Sequence, residues 1–235
     1  MSCRHGGWER GRVDDGVTER SGSTAGGSRE PAAPSGRRVS PRGGIDAVLR
    51  AAVSNFAGVG YHATSMRDIA RDAGMTVATI YHHFSSKQEI LQAIMASTMR
   101  DVIASTRRAL VHAGGSPSEQ LTALVTAWIL FHTDRRAEAL IGASELRNLD
   151  ASGRRLVVAL RDEQEAMFRD VVEHGIQRGE FATRYPVEAA RAIINMGYSV
   201  ASWYRVGAGV TPQELAARYC ELALGVVRGP HPVAR

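Results

Sequence analysis

Apolar residues recur along this chain at helical spacing from Ile45 almost to its end. Ile45, Val48, Leu49, Ala52, Val53 and Phe56 fall at i, i+3, i+4, i+7, i+8 and i+11, one stripe on one helix face. Gly60 is a fitting stop. Ser65-Met-Arg-Asp68 approximates a capping box and opens a short helix that turns Ile69, Ala70 and Ala73 inward. Gly74 breaks it. Thr76 then caps a second short helix, whose inner face is Ile80 and Phe84 with part of Tyr81. Ser86-Lys-Gln-Glu89 reads as a full capping box, and a long helix is predicted from there to about His112.

Beyond the break at Gly114-Gly115-Ser116-Pro117, helices are predicted near 118–132, 135–148 and 151–178. Pro186 and Gly207 frame another, and Thr211-Pro212 opens the last in cap-then-proline order. No stretch alternates convincingly with period two. The pattern predicts an all-α protein of about nine helices.

Composition alters this picture at the N-terminus. Residues 1–44 hold 10 of the 24 glycines, three of the eight prolines and eight arginines, with apolar residues too scattered to offset the entropy of ordering. They read as a flexible arm, basic at Arg37, Arg38 and Arg42. It is either a solvated tail or an arm that reaches DNA phosphates or the minor groove. Residues 45–91 form a first folded segment, 92–228 a second, and 229–235 a tail.

The whole chain has 235 residues, 44% hydrophobic and 23% charged, with a formal net charge of +5. That fits a soluble globular protein. Its most apolar run, Leu121 to Phe131, is interrupted by Thr122 and Thr126 and is well short of the roughly 20 residues a membrane span needs. No apolar run opens the chain, so no secretory signal is expected. Cys3 and Cys220 cannot form a disulfide framework. A cytoplasmic protein is expected. Gly-x-Ser-x-Gly, His-Glu-x-x-His, a phosphate-binding loop and a dinucleotide fingerprint do not occur. His82 and His83 diverge by about 100° on a helix and make a poor metal pair. The expectation is therefore no enzyme, no cofactor and no metal.

The two short helices around Gly74, Ser65–Ala73 and Thr76–Phe84, match a helix-turn-helix. In such a motif the first helix braces across the DNA backbone while the second lies in the major groove. Thr76, Val77, Ala78 and Thr79 are small enough for close approach, and threonine or apolar methyls can read base edges. Ser65, Arg67, Tyr81, His82, His83 and Lys87 stand around them as candidate DNA contacts, chiefly to phosphate. Residues 45–91 contain four Arg or Lys and four Asp or Glu, so non-specific attraction must come from local placement and the arm.

These residues resemble the DNA-binding domain of the TetR (tetracycline repressor) family. The likeness rests on the Phe56 helix, Thr64-Ser65-Met66-Arg67-Asp68-Ile69-Ala70, Ala73-Gly74-Met75-Thr76, and Thr79-Ile80-Tyr81-His82-His83-Phe84 followed by Ser86-Lys87. Met75 departs from the smaller branched residue usual there. The resemblance implies that Thr79 and its neighbours face bases, and that Tyr81, His83 and Lys87 contact phosphates of double-stranded operator DNA. It also implies a helical regulatory domain in 92–228 that binds a small molecule and makes a homodimer through the last two helices.

In that half, Ala189, Ala190, Ile193, Ile194, Gly197, Val200 and Ala201, then Leu215, Tyr219, Leu222 and Val226, suit close helix packing. Burial within one subunit or a dimer face would produce the same pattern. Candidate effector residues are Trp128, Phe131, His132, Arg161, Met167, Phe168, Asn195, Tyr198, Trp203 and Tyr204, a set suited to a mostly apolar ligand. The stretch from Glu145 to Asp150, with Arg161-Asp162-Glu163 and Trp203-Tyr204-Arg205, is similar to TetR-type regulators that sense acyl-coenzyme A. Arg147, Arg154, Arg155, Arg161 and Arg205 would supply cations for its phosphates, or form a solvated face. The resulting expectation is a repressor released by a small hydrophobic effector. An activator, or a helical ligand-binding protein without DNA binding, remains an alternative.

Overall fold

The computed structural model describes residues 41–207 and 209–228. The expected arm up to residue 40, Cys3 and the 229–235 tail lie outside the described residues. Among those described the chain forms nine α-helices and one 3-10 turn, with no strand. They are α1 (Pro41–Gly58), α2 (Met66–Asp72), α3 (Val77–His83), α4 (Lys87–Val111), α5 (Pro117–Asp134), α6 (Arg136–Ser144), α7 (Ala151–Gln177), α8 (Pro186–Trp203) and α9 (Pro212–Arg228).

Two boundaries differ from the sequence expectation. α1 begins at Pro41, not Ile45: proline's fixed φ suits a first turn, and Gly43-Gly44 continues it. α6 stops at Ser144, and a 3-10 turn at Leu146–Asn148 follows where a continuous helix to 148 was expected. The reason lies one residue beyond Leu149. Asp150 caps α7 by accepting the Gly153 N–H at 2.6 Å, and that role requires extended backbone.

Local signals place the remaining ends. Ser65 and Asp68 exchange hydrogen bonds as a complete capping box. At the other end of α2, Gly74 adopts φ +67. The Met75 N–H then reaches Ala70 O and the Gly74 N–H reaches Arg71 O, which is the Schellman closure. Ser86 caps α4 by accepting from Glu89 N, but the Glu89 carboxylate returns to Ser85 N–H and Oγ instead of Ser86. Only half of the expected box forms there.

Packing produces two apolar clusters. The first joins Val48, Phe56, Ile69, Ile80 and Phe84 to Ile90 and Ile94 of α4, and takes in Ile141, Leu149 and Val157 from later in the chain. The second gathers α4, α5, α7, α8 and α9 around Leu124, Trp128, Phe168, Val172, Ile193 and Ala223. Ala189, Ala190, Ile193, Ile194, Gly197, Val200, Ala201 and Leu215 are all buried inside the subunit. Tyr219 and Val226 pack against the same core, and only Leu222 is exposed, at 55%. The apolar pattern of the last two helices is therefore accounted for by the subunit's own core. Their outer faces carry Arg191, Asn195, Ser199, Ala217, Arg218, Leu222 and Gly225.

Trp128 is the pivot of the second cluster. Its Nε1 donates to Ile194 O at 3.1 Å, and its ring meets Phe168 and Tyr198 edge-on. This fit needs Gly197, because a Cβ there would overlap the indole. Gly197→Ala is expected to cost about 1–3 kcal/mol, read as a lower urea midpoint with unchanged slope.

Candidate functional site

α2, the Gly74 turn and α3 hold the helix-turn-helix in place through buried Ile69, Ala70 and Ile80. Position along α3 then decides what each candidate can touch. Ala78, Tyr81 and His82 share the outward face, with Tyr81 53% exposed. Val77 is partly buried against the first cluster. Thr76 is exposed, and its Oγ1 accepts the Thr79 N–H while sharing a 2.8 Å hydrogen bond with Thr79 Oγ1. Thr79 thus stands on the flank of the face with its hydroxyl already engaged. His83 is partly buried, its Nε2 close to Gly44 of α1.

The charges of α2 are mostly spoken for. Ser65 Oγ donates to Asp68 Oδ2 at 2.6 Å, which holds the Asp68 carboxyl below the usual range. Arg71 pairs with Asp68 and Asp72, and Asp72 also accepts from Asn55 of α1. Arg67 is exposed and forms no ion pair among the described residues. It is the readily available cation of α2.

Lys87 is placed differently from its neighbours. Its Nζ donates to Tyr61 O and Thr64 O, both at 2.7 Å, and lies 4.4 Å from the Tyr61 ring centroid. Partial burial holds the ammonium below the usual lysine range. The side chain therefore binds the start of α4 to the loop that precedes α2. Gln88 extends the tie by donating to Asn148 O at 3.1 Å.

The second candidate site is a small cavity of about 30 Å³, room for roughly one water. Trp128, Phe131, His132, Arg161 and Tyr198 line it together, as one group of the sequence candidates. Phe168 lies behind Trp128 in the core, Met167 is partly buried elsewhere, and Asn195 faces solvent. Trp203 is half exposed, and Tyr204 is buried with its hydroxyl on Val210 O. Arg147, Arg154, Arg155 and Arg205 are exposed and line no part of the cavity. Sequence reasoning missed Met95, Thr98, Met99 and Val102 of α4, Glu138, Ala139 and Gly142 of α6, and Val157 of α7. Thr98 carried a signal: it interrupts the stripe Ile94, Val102 at helical spacing, and a polar residue there must serve something.

The cavity's polar groups are specific. His132 is 2% exposed, and burial pushes its pKa down to about 4, so it is neutral at pH 7. Its Nδ1 lies 2.7 Å from Trp128 O, which can only accept, so Nδ1 carries the proton and Nε2 is an acceptor. Burial likewise raises the Tyr198 hydroxyl. Phe131 lines both this cavity and an open groove of about 800 Å³ that reaches Pro212 and Gln213 at the start of α9.

Residues 48–94 match the family model described as bacterial regulatory proteins, tetR family, and residues 114–227 match the tetracyclin repressor-like C-terminal domain. Over 180 residues the chain is 30% identical to the HTH-type transcriptional repressor KstR2 of Mycobacterium tuberculosis H37Rv, covering 76% of this chain and 90% of that one. KstR2 of Rhodococcus jostii is 30% identical over 186 residues, covering 78% and 91%. A solved tetR-family regulatory protein from Rhodococcus RHA1 superposes with a TM-score of 0.74 at 31% identity, over 78% of this chain and 96% of that chain. The solved ketosteroid transcriptional regulator KstR2 of M. tuberculosis gives 0.70 at 28%, over 78% and 94%.

The Lys87 geometry separates a structural tie from a pure DNA contact. Lys87→Ala is expected to lower stability by about 1–3 kcal/mol in the absence of DNA, measured by chemical denaturation. A side chain that worked only on phosphate would leave that stability unchanged.

Proposed function

We propose that this chain, which belongs to the TetR family of bacterial transcriptional regulators, is a homodimeric repressor released from its operator by a small apolar effector. Residues 45–91 form its DNA-binding unit and 92–228 its effector-binding and dimerisation unit. α3 enters the major groove with Ala78, Tyr81 and His82 foremost and Thr76 and Thr79 beside them. Ser65, Arg67 and His83 lie nearby, and Lys87 acts by holding the motif on α4 as well as by its charge. A twofold dimer reads two half-sites. Here the outer faces of α8 and α9, not their apolar stripes, are the surfaces available for pairing.

One observation carries the reading of effector response. Met95 and Val157 line the cavity and also belong to the apolar cluster that contains Phe56, Ile69 and Ile80 of the DNA-binding unit. A ligand larger than about 30 Å³ must move those walls. Close-packed interiors transmit such a shift, so α4 and α6 would change the placement of α1 to α3. The ligand biases the protein only if it binds the shifted arrangement more tightly. Met95 and Met99 suit this role because methionine repacks readily. The printed names of the KstR2 relatives, transcriptional repressor and ketosteroid regulator, support repression and an apolar effector.

An acyl-coenzyme A thioester is one such effector. Its acyl chain suits the cavity and the groove past Phe131, while Arg161 alone of the five arginines stands at the cavity. The nucleotide end would have to lie outside.

Fluorescence anisotropy against DNA from the gene's own promoter, with scrambled DNA alongside, tests this function. Salt-sensitive preference for the promoter is expected, lost when a suitable acyl-coenzyme A is added. Tyr81→Ala is expected to weaken all sequences alike, and Thr79→Ala to alter which sequence is preferred. A uniform loss from Thr79→Ala would place the reading face elsewhere, on Ala78 and His82. No preference for the promoter would count against the proposed regulation there.

A further inference from the structure

The cavity beside Trp128 contains more hydrogen-bonding capacity than the protein uses. Thr98 is 7% exposed, yet its Oγ1 has no hydrogen-bond partner, although a threonine in a helix can return its proton to a carbonyl one turn earlier. Arg161 donates one Nη to Gly142 O, but its Nε is buried without a partner. The Tyr198 hydroxyl makes no hydrogen bond among the described residues, and it lies close enough to feel the Arg161 charge. Buried polar groups left unsatisfied lower stability unless a partner arrives. Two of them, Thr98 Oγ1 and Arg161 Nε, on the wall of one small apolar cavity call for a common explanation.

Charge gives the same answer. Glu138, the one carboxylate on the cavity wall, is paired with Arg135 at 2.6 Å. Glu165, which also acts on Tyr198, is paired with Arg191 at 2.9 Å. Arg161 has no ion-pair partner among the described residues, so the cavity has a surplus of positive charge. Its spare acceptors, His132 Nε2 and the hydroxyl oxygens of Thr98 and Tyr198, can be served by the hydroxyl protons of the same cavity. A surplus of donors remains.

The geometry points to an effector that is an apolar molecule bearing an oxygen acceptor, a carboxylate or a carbonyl, seated on Arg161 Nε and the Thr98 hydroxyl with Tyr198 beside them. This inference rests on the reading of the cavity as the effector site. The acceptor completes the donors that folding leaves unpaired, and the apolar body displaces Met95, Met99 and Phe131. A donor-only cation of equal length leaves Arg161 Nε unpaired and meets Arg161's charge.

Calorimetric titration of the full chain with octanoate, methyl octanoate and octylammonium tests the inference without DNA. Octanoate is expected to bind at least about 10-fold more tightly than octylammonium, the margin of one charge-assisted hydrogen bond. Methyl octanoate separates the two acceptor sources: equal binding assigns the seat to a carbonyl, and weaker binding to a carboxylate. Thr98→Val keeps the side-chain shape and removes only an unpartnered hydroxyl. It is expected to leave the free protein as stable or more so, yet to lower octanoate affinity about 5- to 10-fold. Arg161→Met is expected to lower it further. Octylammonium binding as well as octanoate, unchanged affinity in both variants, or no binding of either acceptor would overturn the inference. Promoter binding that persists in saturating octanoate would instead count against release by this site, while leaving the seat in place.

Discussion

α4 is packed into two cores at once, and the rest of the molecule depends on that double engagement. Its first turns, through Ile90, Leu91 and Ile94, complete the core of the helix-turn-helix. Further along, Met99 and Val102 belong to the cluster around Trp128. Met95 stands between them, on the cavity wall and in the first cluster. An interior packed to near-crystalline density cannot expand on one side of a shared helix without adjustment on the other. The Lys87 and Gln88 hydrogen bonds make the joint short and stiff, since they fasten the first turn of α4 to Tyr61, Thr64 and Asn148.

The electrostatics of the molecule are arranged to match. Around α2, carboxylates answer Arg71, which leaves Arg67 available to solvent. The formal neutrality of residues 45–91 therefore understates what a phosphate would meet, because most of the negative charge is occupied in caps and pairs. In the cavity the arrangement is reversed. Its carboxylate is paired and its guanidinium is not. Arg67 and Arg161 are thus left without an ion-pair partner among the described residues.

Much of this was legible in the sequence because it is local. Ser65, Thr76 and Ser86 each cap the helix that follows them, and Gly74 supplies the one left-handed residue that the tight turn requires. Such signals act within four or five residues. The cavity beside Trp128 is not local: four of its lining residues come from α4, three from α6, and others from α5, α7 and α8. Aromatic residues at helical spacing identified Trp128, Phe131, His132 and Tyr198, but the same spacing equally describes Phe168, which is simply core. The outward face of α3 shows a similar limit. Small residue type favoured Val77, whereas helix phase turns Val77 inward and Tyr81 and His82 outward. The stripe on α8 and α9 was ambiguous for a further reason, since burial within or between subunits selects the same residues.

The coupling through α4 can be tested without any ligand, by filling the cavity from within. Ala139 of α6 is 7% exposed and lines it, so Ala139→Leu adds more volume than about 30 Å³ can accept. The measurement is anisotropy of promoter DNA with the wild type and Ala139→Leu, both checked for native helicity. A folded Ala139→Leu protein whose promoter affinity falls by about 10-fold or more, equivalent to about 1.4 kcal/mol, is the expected result. A folded variant that binds the promoter as tightly as the wild type would contradict the coupling.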